Sequence, residues 1–178
     1  MSNDRKQNFY IFLDIDGVLW DWKWRISEIK SGNIARGGRI TQFNPESINA
    51  VNNLISKLNN FFNCQLVVSS TWRINKEFTI KMLKKNGLVV SDDNSIHFTP
   101  LTLTRSRGQE VMDYLADKPD NNNLLIIDDE YFDFPKYFQK GQMIKTNIYD
   151  RSLSQQHIDN WLGCFAKKNN LSLEEKEI

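Results

Sequence analysis

Two pairs of aspartates stand out for their spacing: Asp14 and Asp16 in "LDIDGV", and Asp128 and Asp129 in "LIIDDE". Each pair terminates an apolar run, and a third run, "QLVV", terminates on Ser69 and Ser70. If the three runs are neighbouring parallel strands, four carboxylates converge on a small volume. Like charges about 5 Å apart repel by roughly 3 kcal/mol per pair at an effective dielectric near 20, so the cluster needs compensation. Protonation of one member is one solution. A hard divalent cation held by oxygen ligands is the more economical one, and Mg2+ suits this donor set. The string is not a calcium loop of the EF-hand kind, because its glycine, Gly17, is the fourth residue counted from Asp14 rather than the sixth.

The elements that must position these groups are legible as alternating periods. Phe9–Leu13 is short, continuously apolar and bounded by polar residues, as a strand covered on both faces should be. Asn44-Pro45-Glu46 reads as an N-cap with proline at the first helical position. Ile48, Val51, Leu54, Ile55 and Leu58 then recur with helical spacing up to the asparagines near Asn60. "CQLVVSS" is a second buried strand, Lys76–Lys85 a helix closed by Asn86-Gly87, and "GLVVSDDNSIHFTP" strand-like with an internal turn. Val111, Met112 and Leu115 predict a helix from Gly108 that stops before Lys118-Pro119. "NNNLLIIDDE" is a third apolar strand, Gln142–Lys145 a weaker one, and Ser154–Phe165 a last helix. Such alternation implies an α/β fold with a mostly parallel sheet, helices on both faces, and a site beyond the carboxyl ends of the strands. The expected organisation is one domain over residues 1–166 and a polar tail over 167–178.

Composition narrows the class without naming an activity. The 178 residues are 40% apolar and 25% charged with a formal net charge of +1, which suits one compact domain and gives no whole-molecule attraction to nucleic acid. Cys64 and Cys164 lie too far apart in sequence for a zinc pair or disulfide framework, and both are expected to be buried thiols. His97 and His157 have no partner at ligand spacing and are read as structural, which disfavours histidine- or cysteine-based phosphatase chemistry. The polar start "MSNDRKQN" and the lack of an apolar run near 18 residues point to a cytoplasmic protein without membrane contact, expected as a monomer.

The set "DIDGV", Ser69 closing a strand, a basic residue opening a later helix, and "IIDD", in that order, resembles the haloacid dehalogenase superfamily. "SSTWR" at 69–73, "HFTP" at 97–100 and "RGQEV" at 107–111 are similar, more narrowly, to the small domains of "Swiss army knife" RNA-repair proteins, and more loosely to the phosphatase half of phage polynucleotide kinase. The resemblance implies a Rossmann-like three-layer sandwich with little or no cap domain, and a Mg2+-dependent phosphomonoesterase working through an aspartyl-phosphate. Asp14 would be the nucleophile and a metal ligand. Asp16 would be the general acid and then base, with its carbonyl on the metal beside the tight turn at Gly17. Ser69, with Ser70 beside it, would hold a phosphate oxygen, and Arg107 would neutralise the phosphoryl charge, with Arg105 as its competitor. Asp128 or Asp129 would complete the metal shell, and Arg73 would reach the site or its rim.

The segment from Trp20 to Phe43 admits two readings. Trp20, Trp22 and Trp24 recur every second residue among five basic residues and two acids between Trp20 and Ile40. This is either a hairpin pinned to the core or a flap whose rings stack nucleobases. With about fifty residues between the first two motifs there is room for a flap but not for a lid domain. An open site favours a bulky substrate such as an RNA or DNA 3′-phosphate end. A free nucleotide, a small phosphorylated metabolite, transfer to an acceptor other than water, or an inactive phosphate-binding adaptor are the alternatives.

Overall fold

The computed structural model describes residues 6–37, 39–90, 95–102 and 106–172. Five parallel strands, β1 (Asn8–Leu13), β2 (Asn63–Val68), β3 (Ile96–Phe98), β4 (Leu124–Asp128) and β5 (Met143–Lys145), form one open sheet in the order β3-β2-β1-β4-β5. The chain builds outward from β1 through β2 to β3, then returns to the other side of β1 for β4 and β5. That reversal opens a crevice at the carboxyl ends of β1 and β4, where open α/β sheets bind ligands.

Among the described residues there are five α-helices: α1 (Trp22–Lys30), α2 (Pro45–Asn59), α3 (Lys76–Lys85), α4 (Arg107–Leu115) and α5 (Gln155–Asn169). Their ends follow local chemistry. Asn44 caps α2 by accepting from the Glu46 amide at 3.0 Å, Asn75 caps α3 from Phe78, and Ser106 caps α4 from Gln109. Gly87, at φ +95°, turns the chain out of α3. At the start of α5, His157 Nδ1 accepts from the Ser154 amide at 3.1 Å, so that histidine is a capping group. Helix α5 runs past the expected stop at Phe165, because Lys167 and Lys168 suit the negative end of the helix dipole and Asn170 adopts the left-handed conformation that closes it.

Strand β1 is the centre of the core, with Phe9, Ile11, Phe12 and Leu13 fully buried. Its alternate residues feed two layers. Phe9, Ile11 and Leu13 pack with apolar residues of α2, α3 and α5, while Tyr10 and Phe12 pack with Val111 and Leu115 of α4 and with Phe134. Burial of β1 alone stabilises the fold by on the order of 10 kcal/mol before entropy is charged against it. No helix among the described residues is long and apolar enough to cross a membrane.

Four expectations need correction. The alternating tryptophans are not in a strand, since Trp22 opens α1. Asp21 caps that helix by accepting from the Trp24 amide at 2.8 Å, and its second oxygen accepts from the amide and hydroxyl of Ser152 at 2.9 and 2.7 Å. A buried cap anchored on both sides outweighs a period-two aromatic pattern. The basic residues nearby are not all on the surface either: Arg25 is buried, while Lys23 pairs with Asp150 and Arg39 lies over the Phe78 ring. Cys164 is exposed on α5, and only Cys64 is partly buried, its thiol pushed up to about 12 by burial. Of the strand-like segment "GLVVSDDNSIHFTP", only Ile96–Phe98 is a strand, Leu88–Val90 is not, and residues 91–94, where the turn is expected, lie outside the described residues, as does the competitor Arg105.

Candidate active site

The strand register carries the site. Leu13 pairs with Val68 on one side and Ile127 on the other, so Asp14, Ser69 and Asp128 all emerge one residue later at the same edge. The ladder continues through them: the Asp14 amide bonds to Ile127 O at 3.0 Å, the Ser69 amide to Leu13 O at 2.9 Å, and the Thr146 amide to Asp128 O at 3.0 Å. The convergence that three short apolar runs could only suggest is thereby fixed in one place. Ligand oxygens of Asp14, Asp128 and Asp129 lie within 4.8 Å of one another.

These acids are poorly solvated. Burial, followed by the charge of Asp128, holds the Asp14 carboxyl well above the ordinary carboxylate range, against the lowering effect of Arg107 and of a hydrogen bond from Ser70. Burial likewise pushes Asp128 up to about 7. Asp129 is raised by burial and by Glu130. One oxygen of Asp128 accepts from the Glu130 amide at 2.9 Å, while Oδ2 is buried without a hydrogen-bond partner. Uncompensated carboxylate oxygen beside two more carboxylates is what a divalent cation would satisfy, and the all-oxygen donor set suits Mg2+.

Gly17 makes the cluster sterically possible. Its φ is +77°, and a Cβ built there would sit 2.5 Å from Asp129 Cγ. Any side chain would displace that carboxylate and strain the turn.

Asp16 is placed differently from the other three. Its carboxylate accepts from Trp20 Nε1 at 2.9 Å and from Trp72 Nε1 at 3.0 Å. Two indole donors thus hold it beside the cluster, close enough for its charge to act on both Asp14 and Asp129. Trp20 is therefore a buried positioning group rather than an exposed stacking ring, and Trp22, 43% exposed, packs edge-on against it at 5.2 Å.

The cationic side is built by the turn after β2 and by α4. Arg107, the first residue of α4, donates to the Ser69 carbonyl and has Nη2 4.0 Å from Asp14 Oδ1. The Ser69 hydroxyl is buried without a partner, poised for an acceptor the protein does not supply. Ser70 caps the 3-10 turn Thr71–Asn75 as well as contacting Asp14. Arg73 lies beneath the site, near enough for its charge to interact with those of Arg107 and Asp14. It is buried, with Nη2 2.5 Å from Glu110 Oε2 and Nη1 donating to Ser70 O at 3.0 Å.

Several contributors escaped the sequence reading: Trp72 on Asp16, Glu110 beneath Arg73, and Lys145, whose amine donates to Asp129 O at 2.7 Å. Thr146 is another, with a buried unpaired hydroxyl at the strand end next to Asp128. The last two could have been sought by extending the rule of polar residues ending apolar runs to "MIKT". Trp72 and Glu110 had no such signal.

A metal at this cluster has a measurable consequence. Folded-state values raised above the unfolded ones mean that Asp14 and Asp128 favour the folded state when protonated, and for Asp128 this contribution fades as pH rises from about 4 through about 7. A divalent cation such as Mg2+ held here would bind the ionised form, so its stabilising effect would grow over the same interval. At 100 times its dissociation constant Mg2+ would contribute about 2.7 kcal/mol, raising Tm by about 5–10 °C at pH 8 and much less at pH 5. Equal shifts at both pH values, or none, would remove the cluster from consideration as a Mg2+ site.

Among curated proteins, none matches this chain. Residues 10–158 match the family described as "HAD domain in Swiss Army Knife RNA repair proteins". HAD domains are in general phosphatase-type hydrolases that use a divalent metal, in keeping with the acidic group found here. The match spans well over half of the 178 residues, and the chain belongs to this family of haloacid dehalogenase domains.

Proposed function

We propose that this protein is a Mg2+-dependent phosphomonoesterase that forms an aspartyl-phosphate on Asp14 and acts on phosphorylated ends of nucleic acid. The observation that carries the reading is the convergence of Asp14, Asp128 and Asp129 within 4.8 Å, one of them with a buried oxygen left unsatisfied. An Asp14 oxygen attacks phosphorus in line with the ester oxygen, so that the Asp14 O–P bond forms as the P–O ester bond breaks. Asp16, steadied by Trp20 and Trp72, gives its proton to the departing alkoxide. It then takes a proton from the water that attacks the phosphoaspartate, which releases inorganic phosphate and restores Asp14. Arg107 balances charge on the equatorial oxygens, and the free Ser69 hydroxyl donates to one of them. Asp14, Asp128 and Asp129 would hold Mg2+, which when bound offsets the negative charge of carboxylates and phosphoryl group alike.

Two features support a nucleic-acid end as substrate. The family is described from RNA-repair proteins. The insertion between β1 and β2 contains only α1, an irregular stretch and α2 among its described residues, which favours an open mouth over a closed chamber. The test is phosphate release with Mg2+ or with EDTA from a 3′-phosphorylated oligonucleotide, from nucleoside monophosphates and from glycerol phosphate. Faster release from the oligonucleotide, lost in EDTA, is expected. Equal or better rates on the small esters would make this a nucleotidase or metabolite phosphatase, and metal binding without release from any ester would make it an adaptor.

A further inference from the structure

Between β4 and α4 in space, residues 129–133 form a short excursion that is fastened at both ends. At its start, the Glu130 amide bonds to Asp128 and the Lys145 amine to the Asp129 carbonyl. At its end, Asp133 accepts from the Gly108 amide at 2.8 Å and from the Ser106 hydroxyl at the N-terminus of α4, and Phe134 is 1% exposed in the core. Two adjacent aromatic side chains occupy the tip between these anchors: Tyr131, 49% exposed, and Phe132, 48% exposed. Phe132 has φ +41°, a conformation bulky residues rarely adopt and one that persists only where surrounding contacts impose it.

Each ring has a cation beside it. Lys145 Nζ lies 5.2 Å from the Tyr131 centroid, and Arg107 Cζ lies 5.5 Å from that of Phe132. Arg107 is also the residue 4.0 Å from Asp14, so a single guanidinium spans the gap between the Phe132 ring and the nucleophile. A held loop presenting two half-exposed rings, both flanked by cations and one step from a phosphate-handling carboxylate, matches what binds an unpaired base and its backbone together. Of the tryptophans at residues 20–24, Trp20 is buried, Trp24 packs on the core, and Trp22, 43% exposed, packs edge-on against Trp20.

We infer that Tyr131 and Phe132 form a base-stacking subsite, and that the ligand is a phosphomonoester carried on an unpaired, single-stranded nucleotide. This rests on the phosphomonoesterase reading for where the phosphate sits, but its test reads binding and not turnover. In the full-length Asp14→Asn protein, equilibrium binding is measured for a short 3′-phosphorylated oligonucleotide and for the same strand with an abasic terminal residue. Removing the base should weaken binding roughly tenfold, within the range of one base–aromatic stack. Tyr131→Ala and Phe132→Ala should each weaken the base-bearing strand several-fold and leave the abasic strand unchanged, while Phe132→Tyr restores affinity. Both positions are exposed, and an unchanged Tm would show that the variants fold. Equal weakening of both strands, no effect on either, or no measurable binding of the base-bearing strand overturns the subsite. Base-dependent binding without hydrolysis by the wild-type protein would instead overturn the phosphomonoesterase and keep the subsite.

Discussion

Asp14→Asn should abolish phosphate release while making the metal-free protein more stable at neutral pH. Loss of a nucleophile whose partners act as a unit costs at least about a thousandfold in turnover. The stability gain has a separate origin. Asp14 is 6% exposed and shares its space with Asp128, so its ionised form carries both a desolvation cost and a like-charge repulsion of up to about 3 kcal/mol. The amide keeps the shape and removes the charge. Thermal melts at pH 7.5 in EDTA should therefore show a higher Tm for the variant, and added Mg2+ should narrow the difference by favouring the wild type. Full turnover by the variant would dismiss Asp14 as nucleophile. Lost turnover together with a large fall in Tm would mean that the substitution acted through misfolding.

The second large effect lies beneath the site. Arg73 and Glu110 are both nearly fully buried, and their ion pair ties the turn after β2 to the first turns of α4. Glu110 also accepts from the Thr102 amide at 3.2 Å. Glu110→Ala would strand a buried guanidinium whose Nε has no partner, at a cost of about 3–5 kcal/mol, or a fall in Tm on the order of 10 °C. Turnover should fall as well, because Arg107 precedes Glu110 on the same turn of α4 and its contact with Ser69 depends on that helix staying in place. Replacing both members, Arg73→Met with Glu110→Leu, should recover most of the stability, since apolar groups of similar volume carry no desolvation cost. A single-variant loss below about 1 kcal/mol would show that the pair is not a cross-link of consequence.

The sequence by itself determined the elements and the ends that carry the acids. The buried strands at Phe9–Leu13 and Leu124–Asp128, the cap at Asn44-Pro45 and the stop at Asn86-Gly87 are local signals spread over a few residues, whereas the apolar Leu88–Val90 forms no strand. "FYIFLDIDGV" and "NLLIIDD" announced buried strands ending in carboxylates for the same reason: apolar runs of that length bury themselves, and charged groups must then sit at the mouth. Tertiary structure alone decided which partners those groups meet. Trp72 reaches Asp16 across 56 residues, Arg73 reaches Glu110 across 37, and Ser152 reaches Asp21 across 131. That last contact fixed a helix where the tryptophan pattern had pointed to a strand or flap. Such contacts depend on strand order and register, which place Asp14 between β2 and β4. A period of two or of 3.6 residues holds no record of which strand lies alongside, so burial, pairing and the aromatic tip at Tyr131 and Phe132 emerge only when the sheet is assembled.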